Sequence, residues 1–422
     1  VGNHLFRVLQ KLECCSTFSH LICNMGELPT SRTRVQSLDI LRGAVMIIMA
    51  LDHVRDFFHE QAFLDDPLNM ASTTPALFFT RWITHFCAPV FVFLAGTSAF
   101  LSGQRRTSKD LSRFLITRGL WLVLVEMVII TFGLTFDPLY HIIVLQVIWA
   151  IGMSMIILGI LVRFPFVVVL AFGLIVVFLH NLLDYPEAER GGQVGTLWNI
   201  LHISRFFIVP LGDSRALLFV YAFLPWAGLM ALGYCFGAFY KNGFSAAKRK
   251  KILLYLGFGI IILFVILRFI NEYGNPSQWS TQPRGTLYSI LSFLNANKYP
   301  PSLMYLCMTI GPAIVVLALL ENVRISRVGN FFRTFGRVPF FYYVLHFYMI
   351  HIICVILFYA TGNSNANIVD PNTPFLFRPA VWGFNLWIVY TIWIGLILMI
   401  YPLCRWYERY KATHTHWWLS YL

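Results

Sequence analysis

Ten stretches of about 18 or more mostly apolar residues, each as long as an α-helix needs to be to cross a bilayer, govern what this chain can fold into. They fall at roughly 37–58, 77–101, 113–135, 142–162, 165–183, 216–240, 251–270, 302–321, 338–360 and 381–404. Only 12% of the residues are charged and the mean hydropathy is +0.68, so little of the chain is left for a separate soluble domain. The expected fold class is all-α: a polytopic transmembrane helical bundle of about ten spans.

Basic residues set the expected orientation, because Lys and Arg collect in short loops on the cytoplasmic side. With the N-terminus inside, the inner segments hold 21 of the 32 Lys and Arg, the outer segments 6 and the spans 5. That asymmetry predicts N-in and C-in topology, five hairpins, and a net charge of +13 that serves insertion. It argues against nucleic acid as a partner. The domain plan is a cytoplasmic segment 1–34, a transmembrane domain 35–411 and a cytoplasmic tail 412–422. Within the first segment, Met25 suits a translation start better than Val1, and "MGELPT" after it is a weak match to a myristoylation pattern. The eight cysteines form no CxxC pair, so neither a zinc site nor a disulfide framework is expected. The longer outer segments, 184–215, 271–301 and 361–380, point to recognition on that face.

The first span, "LDILRGAVMIIMALDHVRDFF" (38–58), carries Asp39, Arg42, Asp52, His53, Arg55 and Asp56 at its two ends. Arg42 and His53 lie within about 20° of one face of a helix and about 16 Å apart along its axis. Asp39 stands at i,i+3 to Arg42, and Asp56 at i,i+3 to His53. Asp52 is adjacent to His53 and points about 100° away, so Asp56 is the better local partner of the imidazole. Ionisable groups inside a membrane face a bundle interior or a wet cavity and carry function. An imidazole near a carboxylate makes a general base, while Arg55 and Asp56 equally suit a snorkelling role at the interface.

Other spans add candidates. His85 and, one turn earlier, Arg81 lie in the second span, where His85 suits acceptor binding or polarisation of an oxyanion and Arg81 suits a carboxylate partner or substrate. Gly96, Ser98 and Ala99 further along permit close helix packing. His346 sits in the middle of the ninth span among Tyr342, Tyr343 and Tyr348. Arg118 and Glu126 in the third span read as structural. Lys298, at the outer mouth of the eighth span in "KYPPS", suits an anionic acceptor or a purely structural place, and Trp279 and Tyr299 suit stacking on a sugar ring.

"RVQSLDILRGAVMIIMALDH" (34–53) resembles the opening of the membrane-embedded acyltransferases, whose first helix carries Arg, ten residues, then His; here these are Arg42 and His53. "THFCAPVFVFLAGTSAFLSG" (84–103) resembles the second helix of the heparan-alpha-glucosaminide N-acetyltransferase catalytic-domain family. "KYPPSLMYLCMTIGP" (298–312) and "FGRVPFFYYVLHFYMIH" (335–351) are similar to late segments of its bacterial branch, so the likeness runs from residue 34 to about 411. The resemblance implies a multi-span acetyltransferase that takes its acetyl group from cytosolic acetyl-CoA and delivers it to an amino sugar or another glycan across a bacterial plasma membrane. A physical scheme places the CoA phosphates by inner cations such as Arg42, paired with Asp39, with Arg337 assisting at the inner mouth; His346 suits the donor tunnel or proton handling, and Arg81 and Lys298 suit the acceptor. In lysosomal members the place of His53 is held by Asn and the essential His lies further on in the loop. His59 stands in that loop here, so His53 and His59 are both candidates, with the Arg-x10-His spacing favouring His53. The expected partners are acetyl-CoA, the glycan acceptor, the lipid bilayer and a second copy of the chain as a homodimer; no metal is expected. A transporter or flippase using the same Arg, Asp and His groups as a substrate or proton path is the alternative, although the chain shows no internal repeat.

Overall fold

A computed structural model describes residues 35–191, 194–204, 206–241, 243–321, 326–416 and 419. The readings made on residues 1–34, among them the start at Met25, the myristoylation pattern and Cys14, Cys15 and Cys23, lie outside the described residues. Residues from Ser37 onward form one compact unit.

The first apolar stretch is helix α1 (Gln36–Phe58). The second is two helices, α2 (Pro75–Thr84) and α3 (Cys87–Gly103). Thr74 caps α2 by accepting the Leu77 amide, with Pro75 at the first helical position. The break after Thr84 has its cause in Pro89, which offers no N–H to the carbonyl four residues back. That carbonyl belongs to His85, and it accepts the Tyr305 hydroxyl at 2.8 Å instead. The third stretch runs as α4 (Ser108–Val125), a π-helical turn (Glu126–Ile130) and α5 (Thr131–Thr135).

Two of the expected spans do not begin as helices. The stretch from 142 opens as strand β1 (Ile142–Leu145) before α6 (Val147–Leu161). After α7 (Phe166–Leu179), a short α8 (Asp184–Glu189), a one-turn α9 (Thr196–Trp198) and a π-helical turn (Asn199–Ile203), the chain makes β2 (Phe207–Leu211) and β3 (Arg215–Phe219), and only then α10 (Leu224–Phe236). The sheet order is β1-β3-β2, with β1 parallel to β3 (Ile142 opposite Ala216) and β2 antiparallel to it (Phe207 opposite Phe219). Short apolar runs such as "IIVL" satisfy a buried strand as well as a helix, and here the strand pairing wins.

The remaining elements are α11 (Ala246–Ile270), α12 (Thr286–Leu294), α13 (Leu303–Leu319), α14 (Arg327–Arg337), α15 (Pro339–Ala360) and α16 (Leu386–Thr413). Among the described residues six helical stretches are long and apolar enough to cross a membrane: 75–103, 108–135, 166–189, 246–270, 339–360 and 386–413. The helices at 147–161, 224–240 and 303–319 are apolar but shorter, and α1 carries its ionisable groups. The protein is thus a predominantly helical integral membrane protein.

Close helix approach is written in glycines. A Cβ at Gly43 of α1 would stand 1.8 Å from the Phe332 carbonyl oxygen of α14, and one at Gly336 of α14 would stand 1.8 Å from the Asp39 oxygen. This crossing draws α14 against the amino-terminal end of α1. At the other end of the bundle, the connections after α1, α11 and α15 meet: Arg284 donates to the Met70 and Thr73 carbonyls, Arg378 donates to the His59 carbonyl at 2.8 Å, and Glu60 takes the Phe384 carbonyl.

Candidate active site

The carboxyl-terminal half of α1 presents Asp52 to three cations. Arg81 of α2 reaches both carboxylate oxygens through one Nη1, at 2.6 and 2.5 Å, and Arg55, one turn on along α1, lies at 3.1 Å. Lys298 Nζ lies at 3.8 Å, and the Thr84 hydroxyl donates to the carboxylate at 3.0 Å. Asp52, Arg55 and Lys298 are buried. Arg55 also pairs with Asp56 at 2.5 Å, while its Nη1 is buried without a hydrogen-bond partner. Lys298 sits over the faces of Tyr221 and Tyr299, 5.9 and 5.1 Å from the ring centroids. Tyr299 lies outside the helices, and the nearby cations of Lys298 and Arg81 outweigh burial and hold its phenol below the usual range. Counting Asp56, three cations face two carboxylates, which leaves the cluster net positive.

His53 faces another way. Its ring packs on Phe347 at 4.5 Å and on His346 at 5.2 Å between centroids. His346 is fully buried, stacks on Tyr342, and directs Nδ1 at the Tyr343 carbonyl, 2.5 Å away. With Nδ1–H donating there, Nε2 is left as a free lone pair, and it has no partner. The two imidazoles therefore form a pair inside the bundle. Asp52 and Asp56, expected to serve His53, are both committed to arginines. His85 is buried edge-on to Tyr305, with neither ring nitrogen hydrogen-bonded. His59 is separate from this pair: it is buried in a cleft of about 320 Å³ with Arg55, its Nδ1 accepting the Gln61 amide at 3.3 Å. Burial and the Arg55 guanidinium hold the His59 imidazole below its usual range.

The amino-terminal half of α1 makes a second polar group. Arg42 bonds Asp39 at 3.1 Å, the Ser98 hydroxyl of α3 at 2.8 Å and the Gly336 carbonyl at 3.3 Å. Arg337 lies 3.8 Å from Asp39 and 2.6 Å from Glu408 of α16. Arg333 adds a further guanidinium on α14, its Nε buried without a hydrogen-bond partner. The sequence-predicted residues thus divide into two sets. Asp39, Arg42 and Arg337 meet at one end of α1; Asp52, Asp56, Arg81, Lys298, His53 and His346 meet toward the other.

Arg55 and Thr84 were not singled out as parts of the site from sequence, nor Tyr221. Arg55 had a signal, its i,i+3 spacing from Asp52; the other two reach the site only through folding. Glu126, read as structural, accepts the Gln146 amide at 2.8 Å and leaves its second oxygen buried without a partner. Trp279 donates its indole N–H to the Arg268 carbonyl. The described cysteines, 87, 235, 307, 354 and 404, are free and buried.

No curated protein matches the chain at a significant level. The family model described as "Heparan-alpha-glucosaminide N-acetyltransferase, catalytic" matches residues 34–267, more than half of the chain. That match includes α1 with Arg42 and His53, and α2 and α3 with Arg81 and His85, whereas Lys298 and His346 lie beyond it. The chain therefore belongs to the heparan-alpha-glucosaminide N-acetyltransferase catalytic family, and is a membrane transferase of the acetyltransferase class.

Proposed function

We propose that this protein moves an acetyl group from cytosolic acetyl-CoA to an amino sugar or another glycan on the opposite side of a bacterial plasma membrane. The observation that carries the proposal is α1 itself: it lies within the family match, holds a cationic group toward each end, and packs His53, next to Asp52, against His346. In this scheme the chain crosses the membrane ten times with both ends in the cytoplasm, and it works as a homodimer or alone.

Arg42 and Arg337 receive the donor's phosphates at the cytoplasmic mouth, where the planar guanidinium suits phosphate, and Asp39 holds Arg42 in place. His346 lies along the donor's path. His53 takes a proton from the acceptor amine or hydroxyl as that atom attacks the thioester carbon. The carbon–sulfur bond then breaks, and the proton passes from His53 to the departing thiolate, so the proton count closes. In a two-step variant His53 is itself acetylated and passes the group on. Arg81, Lys298 and His85 line the acceptor side, where the positive field of Arg81 and Lys298 favours the oxyanion of the tetrahedral intermediate. Asp52 holds Arg81 and Lys298, Asp56 holds Arg55, and His59 is the base if His53 is not.

Calorimetric titration of acetyl-CoA into the purified protein tests the scheme, with Arg42→Gln and His53→Ala beside the wild type. The Arg42 variant is expected to bind at least about tenfold more weakly, a change of about 1.4 kcal/mol. The His53 variant is expected to bind normally and transfer nothing. Absence of binding by folded wild type would remove the acetyltransferase and favour a transporter. Full transfer by the His53 variant would move the base to His59.

A further inference from the structure

Two glycine-tightened helix pairs stand side by side in the bundle. In one pair, a Cβ at Gly173 of α7 would meet Leu232 of α10 at 2.8 Å, and one at Gly228 of α10 would meet Val176 of α7 at 2.5 Å. In the other, a Cβ at Gly257 of α11 would meet the Gly311 oxygen of α13 at 3.0 Å. Each pair is drawn tight, while the backbones of the two pairs stay apart. Between them runs a groove of about 1260 Å³, walled by Leu170 and Leu174 of α7, Leu232 of α10, Ile260 of α11, and Leu306 and Ile310 of α13. No charged, amide or hydroxyl side chain lines it. Along α7 the groove follows Phe166 to Phe178, which is about 18 Å of helix. The hydrocarbon of one bilayer leaflet is about 15 Å deep, half of about 30 Å, so the groove has the length of one lipid chain.

The two ends of the groove differ in charge. At the Phe178 and Leu303 end, Asn181 accepts the Leu303 amide and lines a neighbouring cavity that holds Asp184, Glu187, Glu189 and Glu272, with no Lys or Arg among its described lining residues. The opposite end, at Phe166, Phe239 and Leu256, is basic. The stretches that form it, 163–166 and 238–256, carry six Lys and Arg and no Asp or Glu. Phe239 packs on Phe244 at 5.8 Å between centroids, and Lys248 Nζ stands 5.7 Å from the Phe244 ring. Lys251 Nζ stands 5.8 Å from the ring of Tyr255, the neighbour of Leu256. Arg249 fixes this mouth by donating to the Phe239 and Phe244 carbonyls while it pairs with Glu321 at 2.5 Å. Arg163, Lys248 and Lys251 are exposed.

We propose that the groove is the binding site of one anionic glycerophospholipid, an acyl chain between the helix pairs and the phosphate among Lys248, Lys251 and Arg163. Charge complementarity chooses this occupant. The cations at one mouth attract a headgroup of net negative charge, and the carboxylates at the other repel it, so the lipid enters in one orientation. A zwitterionic headgroup brings its own ammonium to the same cations and gains less. The bound chain gives Leu232 and Ile260 the close contacts that two separated helix pairs cannot give each other. The site uses none of the residues of the acetyl-transfer scheme and is independent of it.

Native mass spectrometry of the full-length protein, delipidated in nonionic detergent and titrated with phosphatidylglycerol or phosphatidylcholine, measures the affinity of the first lipid bound. Phosphatidylglycerol is expected to bind at least about tenfold more tightly, because more than one Lys or Arg faces its phosphate. Lys248→Gln with Lys251→Gln should remove most of that preference, and Ile260→Trp, which fills the groove, should weaken both lipids. Arg405→Gln with Arg409→Gln, at two exposed cations of α16, which does not line the groove, should leave the preference intact. Equal affinity of the two lipids for wild type would overturn the proposal, as would undiminished phosphatidylglycerol binding by Ile260→Trp. Equal loss of preference in the α16 variant would reduce the effect to net charge and refute the site. Displacement of the lipid by glycerol 3-phosphate would leave a phosphate site without a chain, and loss of lipid as the chain dimerises would give the groove to a second copy; either result overturns the proposal.

Discussion

Replacing Asp52 with Asn keeps the shape of the side chain and removes the negative charge that holds three cations together. In the wild type that carboxylate takes Arg81 at 2.6 and 2.5 Å, Arg55 at 3.1 Å and Lys298 at 3.8 Å. The side chains of these cations are 13%, 6% and 8% exposed, so water screens them little. The Thr84 hydroxyl still finds an oxygen in Asn. What changes is that Arg81 and Lys298 lose their carboxylate and Arg55 retains only Asp56. Removing one partner of a buried ion pair costs about 3–5 kcal/mol, and the upper part of that range is expected here because more than one cation is stranded. Equilibrium unfolding in mixed micelles, titrated with a denaturing surfactant, measures the loss. Adding Arg81→Met to Asp52→Asn should recover part of it by removing one stranded charge. A loss below about 1 kcal/mol, the value of an exposed pair, would show that the cluster is hydrated and that its net positive charge is screened.

At the other end of α1, Gly336→Ala puts a methyl group 1.8 Å from the Asp39 oxygen. The two backbones must separate, with a cost of about 3 kcal/mol, and the Arg42 bond to the Gly336 carbonyl should be lost. The measurements are thermal stability and acetyl-CoA affinity; unchanged values for both would refute the close crossing. For His59, burial and Arg55 hold the folded pKa below the ordinary 6.5, so the unfolded chain takes the proton first. Stability contributed by the neutral ring is therefore present above pH 6.5 and is lost as the pH falls below it. His59→Gln should flatten that acid limb in a pH series of melting temperatures, and an unaltered limb would count against it.

The bundle and the polarity of α1 were legible because both follow from local rules: apolar length for the spans, and 100° per residue for the face shared by Arg42 and His53. The partners of the α1 groups were less legible. Asp56, three residues from His53, is the natural local partner, yet it bonds Arg55, and Asp52 bonds Arg81 from another helix. Such choices are made by tertiary packing, where a charge takes the strongest buried counter-charge within reach. The strands that replace the first residues of two expected spans were hidden for a related reason. "IIVL" and "ALLF" have no period of their own, and only pairing with each other identifies them as strands. The break at His85 did carry a local signal in Pro89, but the Tyr305 hydroxyl that donates to the freed carbonyl lies more than two hundred residues away.

The small sheet has a bearing on how the molecule is made. Ile142 is synthesised well before Ala216, its partner, and β3 stands between β1 and β2 in the sheet. β1 therefore cannot complete its pairing until α6, α7 and the following loop have been synthesised. Only when β3 leaves the ribosome does the hydrogen-bonded clasp close, joining the early helices to α10 and the second half of the chain. The sheet thus ties the first half of the chain to the second, across everything between β1 and β3.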